Sequence, residues 1–285
     1  MSLLDELVKL SKSDELALHM PGHKRKGIGA LKGTEAIDIT EIEGYDNLYD
    51  AEGILKEAID RAAYLYNCPN TYYLLNGSTG GNLTAISAVS AISDNSSPES
   101  EASDQYTVSD RQHIIIASNC HRSVRSACEI NRLIIHELKV ETINKTSKIH
   151  DGVSPKSLSL LINKLIFDGI TPRAVVITSP NYDGIISDIG AIEQICHNKK
   201  IPLIVDEAHG AHLSLHNSLP KGALDLKADI VIHSMHKTLR AMTQTALLHV
   251  QGDLVDITQV EKYYRIFQTS SPSYVLMASM DEAVC

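Results

Sequence analysis

Short apolar segments separated by helical patterns occupy most of this chain of 285 residues, and they restrict its fold more than any other feature. Strands are predicted at 71–75, 113–117, 133–138, 174–178, 202–206, 229–233 and 244–250. Short apolar strands joined through helices indicate a parallel sheet that is covered on both faces. The link from Val231 to Ala246 is too short for a crossover helix, so one of these two strands is predicted to be antiparallel. The predicted fold class is therefore α/β, a mostly parallel sheet with helices on both faces and one antiparallel strand.

Helical periodicity predicts the elements between these strands. Helices are expected at 3–10, 53–67, 82–92, 121–130, 158–167 and 188–197, with a turn at 76–81. In 53–67, for example, Ile54, Ala58 and Leu65 fall on one stripe of the helix. The segment 3–10 mixes leucines with acidic residues and is typical of an amphipathic helix.

Composition and charge disfavour several classes of protein. The formal net charge of −9 argues against nucleic acid as a partner, because no basic surface is available to displace phosphate counterions. Five cysteines without a CxxC pair indicate reduced thiols rather than a disulfide framework. No apolar stretch reaches membrane-spanning length, and acidic residues interrupt the first segment where a signal peptide needs an apolar run. These features predict a cytoplasmic protein with no membrane partner.

Two segments depart from the alternation of strands and helices. Residues 93–104 are rich in serine and acidic residues and have no apolar period, which predicts a surface loop insertion over 93–107. Residues 275–280 begin a helix that stops within its first few turns, and so short a helix needs packing partners. Because the sequence shows no such partners, we expect the chain to be truncated.

The segment 234–238, with the sequence Ser-Met-His-Lys-Thr, and the earlier Asp206 each follow a predicted apolar strand. A lysine amine can form a Schiff base with an aldehyde, while hydroxyl and imidazole groups can bind a phosphate. A carboxylate at the mouth of a buried strand is costly unless a positive group faces it, and a protonated pyridine nitrogen is such a group. Ser234, His236, Lys237 and Asp206 together therefore predict a site for pyridoxal 5′-phosphate (PLP).

A glycine-rich turn is a candidate phosphate cradle. Residues 77–81, Gly-Ser-Thr-Gly-Gly, follow a strand and precede a helix, so backbone N–H groups and the hydroxyls of Ser78 and Thr79 can bind an anion. The lysine of a GxxxxGK[ST] loop is missing, which disfavours an NTPase. His121 follows the 113–117 strand, at the edge where parallel sheets bind ligands, and its imidazole can stack on a flat aromatic ring.

Other interpretations of the same residues stay open. Asp206 can instead cap a helix that starts two residues later, and its Asp-Glu-Ala-His letters also occur in helicases. His209, His212 and His216 have the spacing of one helical face and suggest zinc, but no HExxH pattern accompanies them, and no metal is predicted. The basic segment 20–27 can bind a substrate carboxylate or be a solvated loop.

Taken together, these segments resemble the PLP-binding domain of the Orn/Lys/Arg decarboxylase family, class I, which has the aspartate aminotransferase type of fold. The resemblance covers nearly the whole chain and rests on ordered matches at 20–24, 38–48, 52–54, 76–82, 119–123, 178–184, 205–210 and 234–238. It implies PLP-dependent decarboxylation of lysine, arginine or ornithine to a di- or polyamine. The alternatives are another PLP-dependent reaction, such as aminotransfer or lyase chemistry, and a truncated, non-catalytic PLP-binding module.

The resemblance also implies a role for each site residue. Lys237 would form the Schiff base, Asp206 would pair with the pyridine nitrogen, and His121 would stack on the ring. His209 would lie beside the phenolic oxygen of the cofactor. The phosphate would be bound by Ser78, Thr79, Gly80, Ser234 and His236.

Partners and domain boundaries follow from the same resemblance. Because the family's sites form at a dimer interface, we expect a homodimer or higher homo-oligomer with a basic amino-acid substrate, and 269–272 would reach the neighbouring subunit's phosphate. The expected domains are an N-terminal segment at 1–50, a PLP-binding large domain at 51–268, and the start of a linker at 269–285 to a missing C-terminal small domain. At 43–45 the chain has Glu-Gly-Tyr where the family usually has Pro-Gly.

Overall fold

The computed structural model describes residues 2–27, 33–91, 111–143, 146 and 148–285. Within these ranges the strands form one seven-stranded sheet with the order β1-β7-β6-β5-β4-β2-β3. The strands are β1 (Asn70–Leu74), β2 (His113–Ala117), β3 (Ile134–Leu138), β4 (Val175–Thr178), β5 (Leu203–Asp206), β6 (Ile230–Ser234) and β7 (Ala246–Val250).

Strand directions agree with the sequence prediction. The pairs β3–β2, β2–β4, β4–β5 and β5–β6 are parallel. Strand β7 runs antiparallel to both of its neighbours, β6 and β1. Every residue of β4, β5, β6 and β7 is buried, which explains why these strands are apolar without alternation. The mostly parallel sheet with one antiparallel strand is confirmed.

Helices cover both faces of the sheet and bury two separate apolar clusters. The helices are α1 (Leu3–Ser11), α2 (Ile54–Leu65), α3 (Gly77–Ser90), α4 (Arg122–Ile130), α5 (Pro155–Phe167), α6 (Ile189–His197), α7 (Met235–Thr238), α8 (Ile257–Phe267) and α9 (Tyr274–Val284). One cluster joins one face of the sheet to α1, α2, α5, α6 and α9. The other joins the opposite face to α3, α4 and α8. The predicted three-layer arrangement is therefore present.

Helix α3 begins five residues earlier than predicted. Residues 76–81 were expected to form a turn, yet the helix starts at Gly77, whose φ of +65° suits glycine. A Cβ on Gly81 would lie 2.8 Å from side-chain atoms of both Ile232 and Leu74, so glycine lets α3 approach the sheet closely. Packing against the sheet thus overrides the low helix propensity of the glycines.

The C-terminal helix α9 corrects a second expectation, because its packing partners lie within the chain. Its Asp281 is fully buried and accepts hydrogen bonds from Arg61 Nε and Nη2, each at 2.8 Å, and from Leu3 N at 2.7 Å. The helix therefore joins α1 and α2 in one layer. The prediction that the sequence supplies no partners for this helix was wrong.

Two further predictions concern surface and membrane. The predicted insertion at 93–107 lies outside the described residues. In the described part of the chain, no helix combines the length and the apolar character needed to cross a membrane.

Candidate active site

The predicted site residues gather at the carboxyl edge of the parallel strands. Asp206 is the last residue of β5, Ser234 is the last residue of β6, and α3 starts shortly after β1. His121 is the N-cap residue of α4, which follows β2. Parallel sheets bind their ligands at this edge, because the loops that leave the strands converge there.

Asp206 places a carboxylate in the interior without a cationic partner. It is 2% exposed and accepts hydrogen bonds from Asn82 Nδ2 at 2.8 Å and from the Ala208 N–H at 3.2 Å. Both donors are neutral, and no ion pair to Asp206 occurs within the described residues. A buried carboxylate in such surroundings favours a positive group beside it.

A hydrogen-bond network connects Asp206 to His121. The second proton of the Asn82 amide goes to Ser123 Oγ at 3.0 Å. Ser123 Oγ lies 2.8 Å from His121 Nδ1, and the Ser123 N–H donates to the same nitrogen at 3.3 Å. Because Nδ1 accepts both bonds, the proton of the neutral imidazole is on Nε2. The network therefore holds the ring of His121 in one orientation and one tautomer.

Lys237 and His209 meet at the same edge. Lys237 Nζ lies 3.2 Å from His209 Nε2, and Lys237 is exposed while His209 is half-buried. Burial lowers the pKa of His209, and the nearby charge of Lys237 lowers it further, while Asp206 acts in the opposite direction. His209 is therefore a neutral acceptor toward the lysine amine.

The start of α3 brings hydroxyl groups together. Ser234 Oγ donates to Ser78 Oγ at 2.9 Å, which connects the end of β6 to the first turn of α3. The first N–H groups of a helix have no partner within the helix, and they carry a partial positive charge. Thr79 is exposed and Gly80 is buried in the same turn. Hydroxyls at a helix N-terminus are a suitable donor set for a phosphate.

His236 is placed differently from the hydroxyl pair. Its Nδ1 lies 3.0 Å from the carbonyl oxygen of Thr245, so this nitrogen carries a proton and donates to the backbone. In the neutral ring, Nε2 is then the nitrogen that can accept a hydrogen bond.

The structure does not support a helix-capping role for Asp206 or a shared helical face for the three histidines. The segment after Asp206 forms turns and a short 3₁₀ helix at Leu213–Leu215 rather than an α-helix, so Asp206 caps no helix and the three histidines share no helical face. Groups of three or more potential metal ligands are absent from the part of the chain that the structure describes.

The basic segment 20–27 is folded back onto the N-terminal region. Lys24 Nζ donates to the carbonyl oxygen of His19 at 2.6 Å, and Arg25 Nη1 donates to that of Leu10 at 2.8 Å. The head groups of both side chains are therefore bonded to backbone oxygens.

Sequence reasoning assigned no role to Asn82 and Ser123. Asn82 is fully buried and is the direct partner of Asp206, while Ser123 orients His121. One signal was available in the sequence, because Asn82 is the only amide in a helix of otherwise small or apolar and hydroxyl-bearing residues. A buried amide in such a helix needs polar partners, and these are found at a site.

These residues fit the cofactor that the sequence predicts. The buried Asp206 carboxylate suits a protonated pyridine nitrogen, and the hydroxyls at the start of α3 suit a phosphate. The fold is of the PLP transferase-like type, and the chain superposes on the PLP-bound structure titled SPT with PLP internal aldimine with a TM-score of 0.60 at 12% identity, over 99% of this chain and 57% of that one. The fold thus assigns the chain to the class of proteins with the PLP transferase-like architecture.

Within that class, the chain belongs to the Orn/Lys/Arg decarboxylase family. Residues 2–285 match the family described as "Orn/Lys/Arg decarboxylase, major domain". This is a family of PLP-dependent decarboxylases, and the predicted resemblance is confirmed.

Relatives and solved structures agree with this assignment. The chain is 31% identical over 290 residues to the uncharacterized protein YaaO of Bacillus subtilis, covering 99% of this chain and 55% of the relative. It is 29% identical to an arginine decarboxylase of Bacillus cereus, covering 99% and 58%. The lysine decarboxylase LdcF of Francisella novicida has the same fold, with a TM-score of 0.79 at 22% identity over 99% of this chain and 40% of that one. The chain thus spans little more than half the length of the two Bacillus relatives and less than half of the lysine decarboxylase.

Proposed function

We propose that this protein is a PLP-dependent decarboxylase of a basic amino acid, forming a di- or polyamine. The observation that carries the proposal is the buried carboxylate of Asp206, which has neutral hydrogen-bond donors but no cation in the described chain. A pyridinium nitrogen supplies the missing charge, and the amine of Lys237 belongs to the same site edge.

Each predicted residue has a part in holding the cofactor. Lys237 would supply the amine that reacts with the aldehyde, and Asp206 would keep a proton on the pyridine nitrogen. His121, in the orientation that Ser123 fixes, would stack on the ring. The phosphate is bound at the start of α3 by Ser78, Thr79, Gly80, Ser234 and His236.

When bound, PLP supplies an aldehyde that exchanges between amines and a ring that accepts the electron pair released with CO2. The protein's contribution is electrostatic and geometric. Asp206 stabilises positive charge on the ring nitrogen, and Asn82 fixes the direction of that carboxylate.

His209 manages the proton of the lysine amine. An ammonium group cannot attack an aldehyde, so Lys237 must first lose a proton. His209 Nε2 lies 3.2 Å away and is unprotonated, because burial and Lys237 lower its pKa. Its free nitrogen would accept a hydrogen bond from the amine and provide a path for the proton that Lys237 must lose.

The substrate class rests on the relatives, whose names include arginine and lysine decarboxylases. A homodimer, in which 269–272 approaches the neighbouring subunit's phosphate, is part of the proposal. The proposal also includes the domain boundaries, which are an N-terminal segment at 1–50, a large domain at 51–268 and a linker beginning at 269.

The test is to add PLP to the purified protein and then lysine, arginine and ornithine separately. Release of CO2 with formation of the matching amine supports the proposal. A keto acid product indicates aminotransfer, and cofactor uptake without any product indicates a non-catalytic PLP-binding module. Failure to take up PLP contradicts the proposal.

A further inference from the structure

A row of hydrogen-bonded, buried polar side chains crosses four strands on the sheet face opposite α3. Glu207 follows β5, His233 lies on β6, His249 on β7 and Thr71 on β1. Glu207 is 2% exposed, His233 1% and His249 0%, so this row of side chains is shielded from water. The proposed cofactor site makes no direct use of any of these residues.

Hydrogen-bond contacts run without a break along this row of side chains. Glu207 Oε2 lies 2.8 Å from His233 Nε2, and His233 Nδ1 lies 3.2 Å from His249 Nε2. His249 Nδ1 lies 2.9 Å from Thr71 Oγ1, which donates its own proton to the carbonyl oxygen of Cys68 at 2.8 Å. Every polar atom of the two imidazoles therefore has one partner.

Counting donors from one end fixes the protons. The hydroxyl proton of Thr71 is bonded to Cys68, so His249 Nδ1 must be the donor to Thr71. Complete burial, together with His233, lowers the pKa of His249 well below its usual value, so this ring is neutral and its Nε2 is an acceptor. His233 Nδ1 must then donate to His249.

One further proton is left between His233 Nε2 and Glu207 Oε2, at 2.8 Å. The Ala223 N–H also donates to both oxygens of Glu207, at 3.0 and 3.2 Å, which stabilises a carboxylate. The proton therefore belongs to His233.

The location of this pair connects it to the site. Glu207 directly follows Asp206, and His233 directly precedes Ser234. The Glu207–His233 pair therefore joins the ends of β5 and β6 on the sheet face opposite α3. Tyr66 packs its ring against both imidazoles, with centroids 4.9 Å apart in each case. A strong bond across these strand ends fixes the backbone from which Asp206 and Ser234 project to the other face.

We propose that Glu207 and His233 form a carboxylate–imidazolium pair that acts as a positioning element for Asp206 and Ser234. The positioning of a cofactor rests on the proposed function. The buried pair itself does not, and each part has its own measurement.

The pair is tested in the protein without PLP by ¹⁵N NMR of labelled histidine side chains, with assignment from His233→Gln and His249→Gln. Two protonated nitrogens are expected for His233, and one for His249. In Glu207→Gln, the new amide can donate to His233 Nε2, so His233 is expected to become neutral with its proton on Nδ1. An unprotonated nitrogen on His233 in the wild-type protein overturns the pair.

The positioning role is tested by comparison with a second histidine–carboxylate pair, which joins the end of α6 to the residue before β6. His197 Nε2 lies 2.8 Å from Asp229 Oδ2, near the opposite ends of β5 and β6. His233→Gln is expected to shift the side-chain amide resonance of Asn82, the partner of Asp206 on the other face, and His197→Gln is not. Equal responses of Asn82 in the two variants overturn the positioning role.

Cofactor affinity completes the test. His233→Gln is expected to weaken PLP binding by about tenfold or more, whereas His197→Gln leaves it within about twofold. Unchanged affinity in His233→Gln contradicts the positioning role. If the proposed function is wrong, wild-type protein takes up no PLP. The NMR spectra of His233 and Asn82 then still test the buried pair and its positioning role.

Discussion

Nζ of Lys237 lies 3.2 Å from Nε2 of His209, and this contact joins the only two side chains of the site that exchange a proton in the proposed chemistry. The residues come from different segments, the turn after β5 and the short helix α7. Burial and the lysine charge keep the imidazole neutral, so its free nitrogen can accept a hydrogen bond from the amine.

His209→Ala is therefore expected to slow covalent attachment of PLP by about 10²-fold, the lower range for loss of a general base. The measurement is the rate at which the visible absorbance of lysine-linked PLP develops after mixing. His212→Ala is the matched control, because His212 is a neighbouring histidine that makes no hydrogen bond to Lys237 within the described part of the chain. Equal rates in the two variants would contradict the role of His209.

Asn82→Ala is expected to destabilise the protein by about 1–3 kcal/mol, since it leaves one oxygen of the buried Asp206 carboxylate without its donor. Urea denaturation monitored by circular dichroism measures the change. Asn131→Ala is the control, because Asn131 Nδ2 also makes two 2.8 Å bonds, but to the neutral acceptors Ser87 Oγ and Ala127 O. We expect a smaller loss of stability for Asn131→Ala than for Asn82→Ala. A larger loss for Asn131→Ala would contradict the role given to the Asn82–Asp206 bond.

The sheet and most helices follow from the sequence because burial on both faces leaves a clear apolar signal. The run 113–117 was predicted with its observed bounds, and the single antiparallel strand was inferred from one short connection. These features depend on local composition and chain length, which a sequence displays directly.

The features that the sequence did not reveal depend on tertiary contacts. Helix α8 escaped prediction although Asp256 caps it and accepts a hydrogen bond from the Thr258 N–H. Its few buried residues, Val260 and Tyr264, are too sparse to mark a helix without the packing against α3. The partners of α9 were missed for the same reason, since Arg61 lies 220 positions away from Asp281.

Asp281→Ala is expected to cost about 3–5 kcal/mol of stability, because it leaves the half-buried Arg61 without its carboxylate and the Leu3 N–H without an acceptor. Thermal and urea unfolding measure the loss. Asp60→Ala removes an exposed pair with Lys56 and should change stability by about 1 kcal/mol or less. Similar small effects in both variants would show that α9 does not stabilise the domain through this contact.

Stability is expected to fall on acidification because of His249. Burial and His233 lower the pKa of His249 well below 6.5 in the folded state, so near that pH the unfolded state binds more protons. Unfolding free energy therefore rises with pH, and it is lost as the pH drops below 6.5, by at most about 1.4 kcal/mol per pH unit from this group.

The measurement is urea unfolding at several values between about pH 7 and about pH 5.5. His249→Gln should reduce the slope of stability against pH, whereas a substitution of the exposed His216 by glutamine should leave it unchanged. A slope that survives intact in His249→Gln refutes this assignment.

Trapping the cofactor on its lysine tests the proposed Schiff base at Lys237. Wild-type protein is mixed with PLP, reduced with borohydride and digested, and the peptides are mapped by mass spectrometry. We expect a reduced pyridoxyl adduct on Lys237, and no adduct at that segment in Lys237→Ala. Labelling spread over surface lysines, or an unmodified Lys237 in wild-type protein, would contradict it.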